Sequence, residues 1–258
     1  MDKIIESIEK CTVNKNVLFL PKEMLPNYPQ VKKTLVDAGG TYKKNTFVFK
    51  TDAQPIIDRI CGGEKVNDKK KYQFFETPED LAYKMALFAE LFDGCRLLEP
   101  GAGHGALIDA AWKLCPDIQI NACELSPENR KVLIKKYNQK HNFMLYTEPD
   151  FIKKDFPCFF DRIIANPPFT KNQDIKHFMK MYRLLNEKGI LVCILSNHWT
   201  FATDSISVAF RDFINEKEKV DQSSVYVETL EPGTFKESGT NVATTLVKIV
   251  KSLRDPKF

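Results

Sequence analysis

Long apolar runs are missing from this chain. None approaches the roughly 18 residues that a membrane-crossing helix needs, and the start Met1-Asp2-Lys3-Ile4 has no signal-like hydrophobic stretch, so a cytoplasmic protein with no membrane partner is expected. The seven cysteines, at 11, 61, 95, 115, 123, 158 and 193, are odd in number, form no C-x-x-C pair and sit mostly in apolar segments. That pattern excludes a disulfide framework and a zinc site and reads as reduced core thiols. Four histidines, at 104, 141, 177 and 198, stand at no metal-ligand spacing, so no metal cofactor is expected. Internal repeats and low-complexity tracts are absent too. What is there is 258 residues, 43% hydrophobic, enough for one large domain with an appendage.

The net charge of +4 is unevenly spread. Through Tyr72 there are 14 Lys and Arg against 9 Asp and Glu, and the remainder has 24 against 25, so all the excess positive charge lies in the first quarter. Lysine and arginine are the residues that meet phosphates, which makes this quarter a candidate contact for a polyanion and equally a solvated basic face. Its pattern is α+β: strand-like Val17–Leu20, a helix over Pro29–Asp37 stopped by Gly39-Gly40, a hairpin over Thr41–Phe49 with lysines at its turn, and a helix to Ile60. Gly62-Gly63 and Lys69-Lys70-Lys71 mark a linker, dividing a module over 1–70 from a domain over 71–258.

From Leu97 short apolar strands alternate with helices, the mark of a parallel α/β sheet. Strands are predicted at 96–99, 118–124, 143–146, 162–165 and 190–196. Helices are predicted at 106–114, 127–139, 174–185 and 207–216. Two further β-rich stretches, 224–230 and 242–250, suit an antiparallel strand slipped in at the end of the sheet.

Four segments carry chemistry. Leu97-Leu98-Glu99-Pro100-Gly101-Ala102-Gly103-His104-Gly105 runs a strand into a glycine-rich turn that opens a helix, and glycines at alternate positions let a ligand approach the backbone. The acidic Glu99 would repel a diphosphate and suits an ammonium group. Glu124, 23 residues after Gly101, stands where a carboxylate accepts both ribose hydroxyls, and Ser126-Pro127 behind it is also a helix N-cap with proline at N1. Asp150-Phe151 follows the third strand, with a carboxylate for an adenine amino hydrogen and an aromatic to cover the ring. Asn166-Pro167-Pro168-Phe169 ends the fourth strand; its prolines leave a carbonyl with no local N–H, so the Asn166 side-chain oxygen and the Pro167 carbonyl can accept the two hydrogens of a planar amino group while Phe169 stacks on the ring. Upstream, Thr77 reads as a helix N-cap and Pro78 as N1, preceded by the doubled Phe74-Phe75.

In this order the set resembles the S-adenosylmethionine-dependent amino DNA methyltransferases that place their cofactor motifs before the catalytic tetrapeptide, most closely the small adenine-N6 enzymes of phages and mobile elements. The resemblance covers roughly residues 73 to 250. It implies a class I Rossmann-like sheet with a reversed seventh strand and methyl transfer from S-adenosylmethionine to adenine N6 in DNA. By it, Asn166, Pro167 and Phe169 are catalytic, Glu99, Gly101 and Gly103 shape the cofactor cleft and Glu124 holds the ribose. Asp150 and Phe151 would bind the cofactor adenine, while Phe75, Thr77 and Pro78 would close over its methionine end. Phe169, with Phe235 of the loop Pro232–Thr240, is the candidate to receive a flipped base. Many such enzymes carry a large target-recognition domain after the sheet; here recognition would fall to the first module, to loops or to a partner chain. The same tetrapeptide also serves methylation of an RNA base amine or of a protein glutamine amide, and a catalytically inactive nucleic-acid-binding protein is the remaining alternative.

Overall fold

A computed structural model describes residues 2–49, 51–64, 66, 75–235 and 242–252. The linker Lys69-Lys70-Lys71, Phe74 and residues 236–240 of the Pro232–Thr240 loop lie outside the described residues. The chain divides into two compact units, residues 1–74 and 75–258.

The first unit runs α1 (Asp2–Glu9), β1 (Thr12–Asn14), β2 (Val17–Phe19), α2 (Tyr28–Asp37), β3 (Thr41–Lys43), β4 (Thr46–Val48) and α3 (Gln54–Cys61). Its four antiparallel strands lie in the order β1-β2-β4-β3. Lys44 and Asn45 both take positive φ (41° and 65°), as the two central residues of a tight hairpin require. Gly39 (φ +99°) ends α2, as its place in the sequence suggests. α1 and β1 had no signal strong enough to be read from sequence: β1 is three residues long, and α1 buries mainly Ile8. Leu18 and Phe47 project to one face of the sheet, where they join Val31, Leu35, Ile56, Ile57 and Ile60 in a core of fully buried or nearly buried side chains. The opposite face carries Thr12, Phe19, Thr46 and Lys43 in one row and Asn14, Val17, Val48 and Thr41 in the next.

The second unit contains α4 (Glu79–Phe88), β5 (Arg96–Glu99), α5 (Ala106–Leu114), β6 (Gln119–Ala122), α6 (Pro127–Tyr137), β7 (Phe143–Leu145), β8 (Phe160–Ala165), α7 (Gln173–Arg183), β9 (Leu185–Ser196), α8 (Ser205–Val220), β10 (Val225–Thr229) and β11 (Thr244–Val250). Seven strands form one sheet in the order β10-β11-β9-β8-β5-β6-β7, parallel from β7 to β9, with β11 reversed between β9 and β10. Alternate residues serve opposite layers: Ile190, Val192 and Ile194 pack towards α4, α5 and α6, while Leu191, Cys193 and Leu195 pack towards α7 and α8. Five of the seven cysteines are in or against these two apolar clusters, as expected of core thiols. β9 is longer than predicted. It begins at Leu185, where a helix was expected to end, because Lys188 adopts φ 60° and lets the chain re-enter the ladder after Gly189.

Strand order reverses direction between β5 and β8. Such a switch point leaves a crevice beyond the carboxyl ends of the two strands, and those ends carry the glycine turn and the Asn-Pro-Pro-Phe segment.

Candidate active site

The glycine turn is shaped from behind. Gly105 (φ +86°) caps α5, and a Cβ there would meet the Tyr137 hydroxyl at 2.2 Å. That hydroxyl donates to the Gly105 carbonyl (3.1 Å) or the Asp109 Oδ1 (2.8 Å), while Asp109 also pairs with Lys136. Gly103 takes φ 54°. Gly101 has an ordinary φ and open space where a side chain would stand, so nothing in the fold itself demands glycine there.

Two carboxylates face this turn. Glu124, two residues beyond β6, is buried and accepts from the backbone N–H of Gly103 (2.6 Å, Oε2) and of Ser126 (2.7 Å, Oε1). These bonds oppose the upward push of burial on its pKa and fix both oxygens, leaving their other lone pairs for a pair of hydroxyls. Glu99, at the end of β5, is 2% exposed, and its Oε2 has no hydrogen-bond partner. Burial, reinforced by Glu124 and Asp109, holds its pKa well above the ordinary carboxyl value. A buried acceptor left without a hydrogen-bond partner beside a glycine turn fits the ammonium of an amino-acid moiety.

Asp150 lies past β7, with Oδ1 accepting from the Ile152 N–H (3.0 Å) and Oδ2 3.6 Å from Lys153. Phe151 differs from expectation: its side chain is 2% exposed and packs against His177 and Phe156, so the ring belongs to the core and does not lie open over a ligand. Its apolar neighbours explain why an aromatic is needed there without a ligand. Leu125, by contrast, is 48% exposed directly after Glu124, an apolar surface at the crevice that sequence reasoning passed over. The only signal was a leucine set between two polar residues.

Asn166 stands just beyond β8. Its Nδ2 donates to the Phe75 carbonyl (3.0 Å) and to Thr77 Oγ1 (3.2 Å), which commits the amide nitrogen to the protein and leaves Oδ1 as the acceptor. Thr77 was expected to cap α4, yet Pro78 occupies the N-cap position and no side-chain cap bond forms. The Thr77 hydroxyl serves Asn166 instead. Phe169 is half-buried and lies nearly parallel to Phe75, with centroids 6.4 Å apart and planes 9° apart. Glu76, between Phe75 and Thr77, comes within 3.6 Å of His104 in the glycine turn, so this segment touches both motif groups. Phe235, at the end of the turn 232–235, is 1% exposed in the core with Leu230 and Leu246, so its ring is packed inward and does not stand open to cover a base. Among the described residues no cluster of His, Cys, Asp and Glu could hold a metal ion, and no helix is long and apolar enough to cross a membrane.

Comparison with known proteins bears on the family and the fold. The family described as methyltransferase small domain matches residues 85–227, more than half of the chain. No curated protein matches by sequence. The fold is similar to that of a type I restriction-modification methyltransferase subunit from Streptococcus thermophilus, with TM-score 0.61 and 17% identity over 80% of this chain and 51% of that one. A modification subunit of a putative type I restriction enzyme from Vibrio vulnificus gives 0.56 and 16% over 77% and 53%. A putative class I S-adenosylmethionine-dependent methyltransferase from Listeria monocytogenes gives 0.53 and 15% over 70% and 62%. The chain thus spans about half the length of the type I subunits it resembles.

Proposed function

Because the chain belongs to the methyltransferase small-domain family and takes S-adenosylmethionine as its cofactor, we propose that it methylates the exocyclic N6 amine of adenine in DNA. The observation that carries this reading is the orientation of Asn166. With Nδ2 held by Phe75 and Thr77, Oδ1 can only accept, so the site calls for a substrate that donates N–H. A planar amino group has two such donors, and the Pro167 carbonyl, followed by a second proline with no N–H, is the second acceptor.

The cofactor supplies an electrophilic methyl group. Glu99 would hold its ammonium, Glu124 its ribose hydroxyls and Asp150 its adenine amino group, with Gly101 and Gly103 permitting close approach and Leu125 covering the adenine. Phe75, Thr77 and Pro78 would line its methionine end. In the substrate, conjugation draws the N6 lone pair into the ring. Hydrogen bonds to Asn166 Oδ1 and the Pro167 carbonyl favour a more pyramidal nitrogen and stabilise the positive charge that grows on it, an effect stronger in the transition state than in the ground state. Phe169 stacks on the flipped ring, with Phe75 fixing its plane. The first unit contributes DNA contact: the eight residues of its outward sheet face include no acid, and Lys15 and Lys44 stand at its hairpin turns.

Transfer of labelled methyl to unmethylated genomic DNA, beside total RNA and a protein extract, tests this. N6-methyladenine in digested DNA is expected. Label in RNA or protein alone would overturn the DNA assignment, since the same acceptor pair fits any exocyclic amine or a glutamine amide.

A further inference from the structure

Apart from Phe75, Thr77 and Pro78 before α4, the residues assigned to the cofactor follow β5, β6 and β7, and Asn166 follows β8. The part of the carboxyl edge left for a substrate is therefore the end of β9 and the adjoining start of β11. There the chain turns through residues 197–204. This turn is held on every side. The buried Asp174 Oδ2 accepts from the Ser196 N–H (2.9 Å) and hydroxyl (2.7 Å), and the Asn197 N–H donates to the Ala243 carbonyl (2.8 Å). Trp199, 5% exposed, donates its indole N–H to Thr245 Oγ1 (3.0 Å). Arg211 Nη1 donates to the carbonyls of Trp199 (2.5 Å) and Ala202 (2.7 Å). Asn172, three residues after Phe169, donates through Nδ2 to Asp204 Oδ1 (2.8 Å), tying the turn to the catalytic loop. Lys171 and Asn172 both take φ 56° in doing so, a left-handed conformation that is unfavourable for non-glycine residues.

In this frame Phe201 is 68% exposed, between a buried Trp199 and an 8% exposed Ala202. Among the described residues its ring neighbour is the exposed His198, edge-on at 5.7 Å. A rigid mount that presents an apolar ring to water gains nothing for the fold. It suits insertion into a stack of bases.

We infer that Phe201 is the wedge that enters the duplex and fills the gap left by the extruded adenine. The inference rests on the adenine reading above. An adenine paired in a duplex cannot bring N6 to Asn166 without leaving the stack, at a cost of a few kcal/mol, and apolar wedges offset such costs by stacking on the exposed neighbours.

The test uses the full-length protein and duplex DNA in which 2-aminopurine randomly replaces adenine, its fluorescence rising when it leaves the stack. Wild-type protein should raise the signal, and Phe201→Ala should cut that rise by about half or more, with Phe201→Leu between them and S-adenosylmethionine affinity by calorimetry unchanged in both. An equal rise in Phe201→Ala would overturn the wedge, as would a wild-type protein that methylates duplex DNA with no rise at all. Absence of methyl transfer from the wild type to DNA is the distinct result that defeats the adenine reading and the wedge with it.

Discussion

The Asn166 side-chain amide donates to the Phe75 carbonyl at 3.0 Å and to the Thr77 hydroxyl at 3.2 Å, so a segment about ninety residues upstream sets which end of the amide faces the crevice. The relationship separates two variants. Asn166→Ala removes the acceptor and should lower kcat by about 100- to 1,000-fold, the scale of losing a preorganised transition-state contact. Thr77→Val keeps the acceptor and loosens its orientation, which should cost about 5- to 10-fold in kcat, the worth of one hydrogen bond. Cofactor affinity should change little in Asn166→Ala. A Thr77→Val enzyme with wild-type kcat would show that the Phe75 carbonyl alone suffices.

That dependence also shows what could be read before the structure. The pairing of acidic residue and glycine turn, the spacing to Glu124 and the Asn-Pro-Pro-Phe segment were legible because each sits at a strand end, where the change from a short apolar run to turn residues is local. Helix α5 was located residue for residue, and the reversed β11 was anticipated from two β-rich stretches with no helix between them. The role of Thr77 was not legible. Thr-Pro before a helix is a capping pattern by local chemistry, and only the long-range approach of Asn166 diverts the hydroxyl. The burial of the Phe151 and Phe235 rings was not legible for the same kind of reason: an aromatic beside a polar motif looks the same in sequence whether its ring faces a ligand or the core.

Gly105 and Gly101 should respond differently to the same substitution. At Gly105 an added Cβ meets positive φ and the Tyr137 hydroxyl at 2.2 Å, so Gly105→Ala should destabilise the fold by about 2 kcal/mol or more. At Gly101 there is neither strain nor contact, so Gly101→Ala should leave the melting temperature near that of the wild type and, with the cofactor bound as proposed, weaken its binding, because the new methyl group would enter the space assigned to the ligand. Thermal unfolding and calorimetry on the two variants distinguish a structural glycine from a functional one. Unchanged affinity in Gly101→Ala would remove that residue from the cofactor cleft.

Glu99 should trade stability for binding. Its pKa in the folded protein is raised well above 4.5 by burial and by Glu124 and Asp109, so the folded state holds its proton more tightly than the unfolded chain does. The sign follows: the contribution to stability is fully present below pH about 4.5 and is lost as pH rises through the folded-state pKa. Glu99→Gln removes the ionisable group, so without cofactor it should melt a few degrees higher near neutral pH and show a flatter dependence on pH, consistent with about 1–3 kcal/mol for an unsatisfied buried group. With the ammonium held by Glu99 as proposed, bound cofactor should reverse the balance by favouring the ionised carboxylate: wild-type affinity should rise with pH up to the folded-state pKa, with proton release on binding. Glu99→Gln should lose that pH dependence and bind about 10- to 100-fold more weakly. Calorimetry in two buffers of different ionisation enthalpy measures the released proton directly, and its absence in the wild type would show that Glu99 is not the group that meets the ammonium.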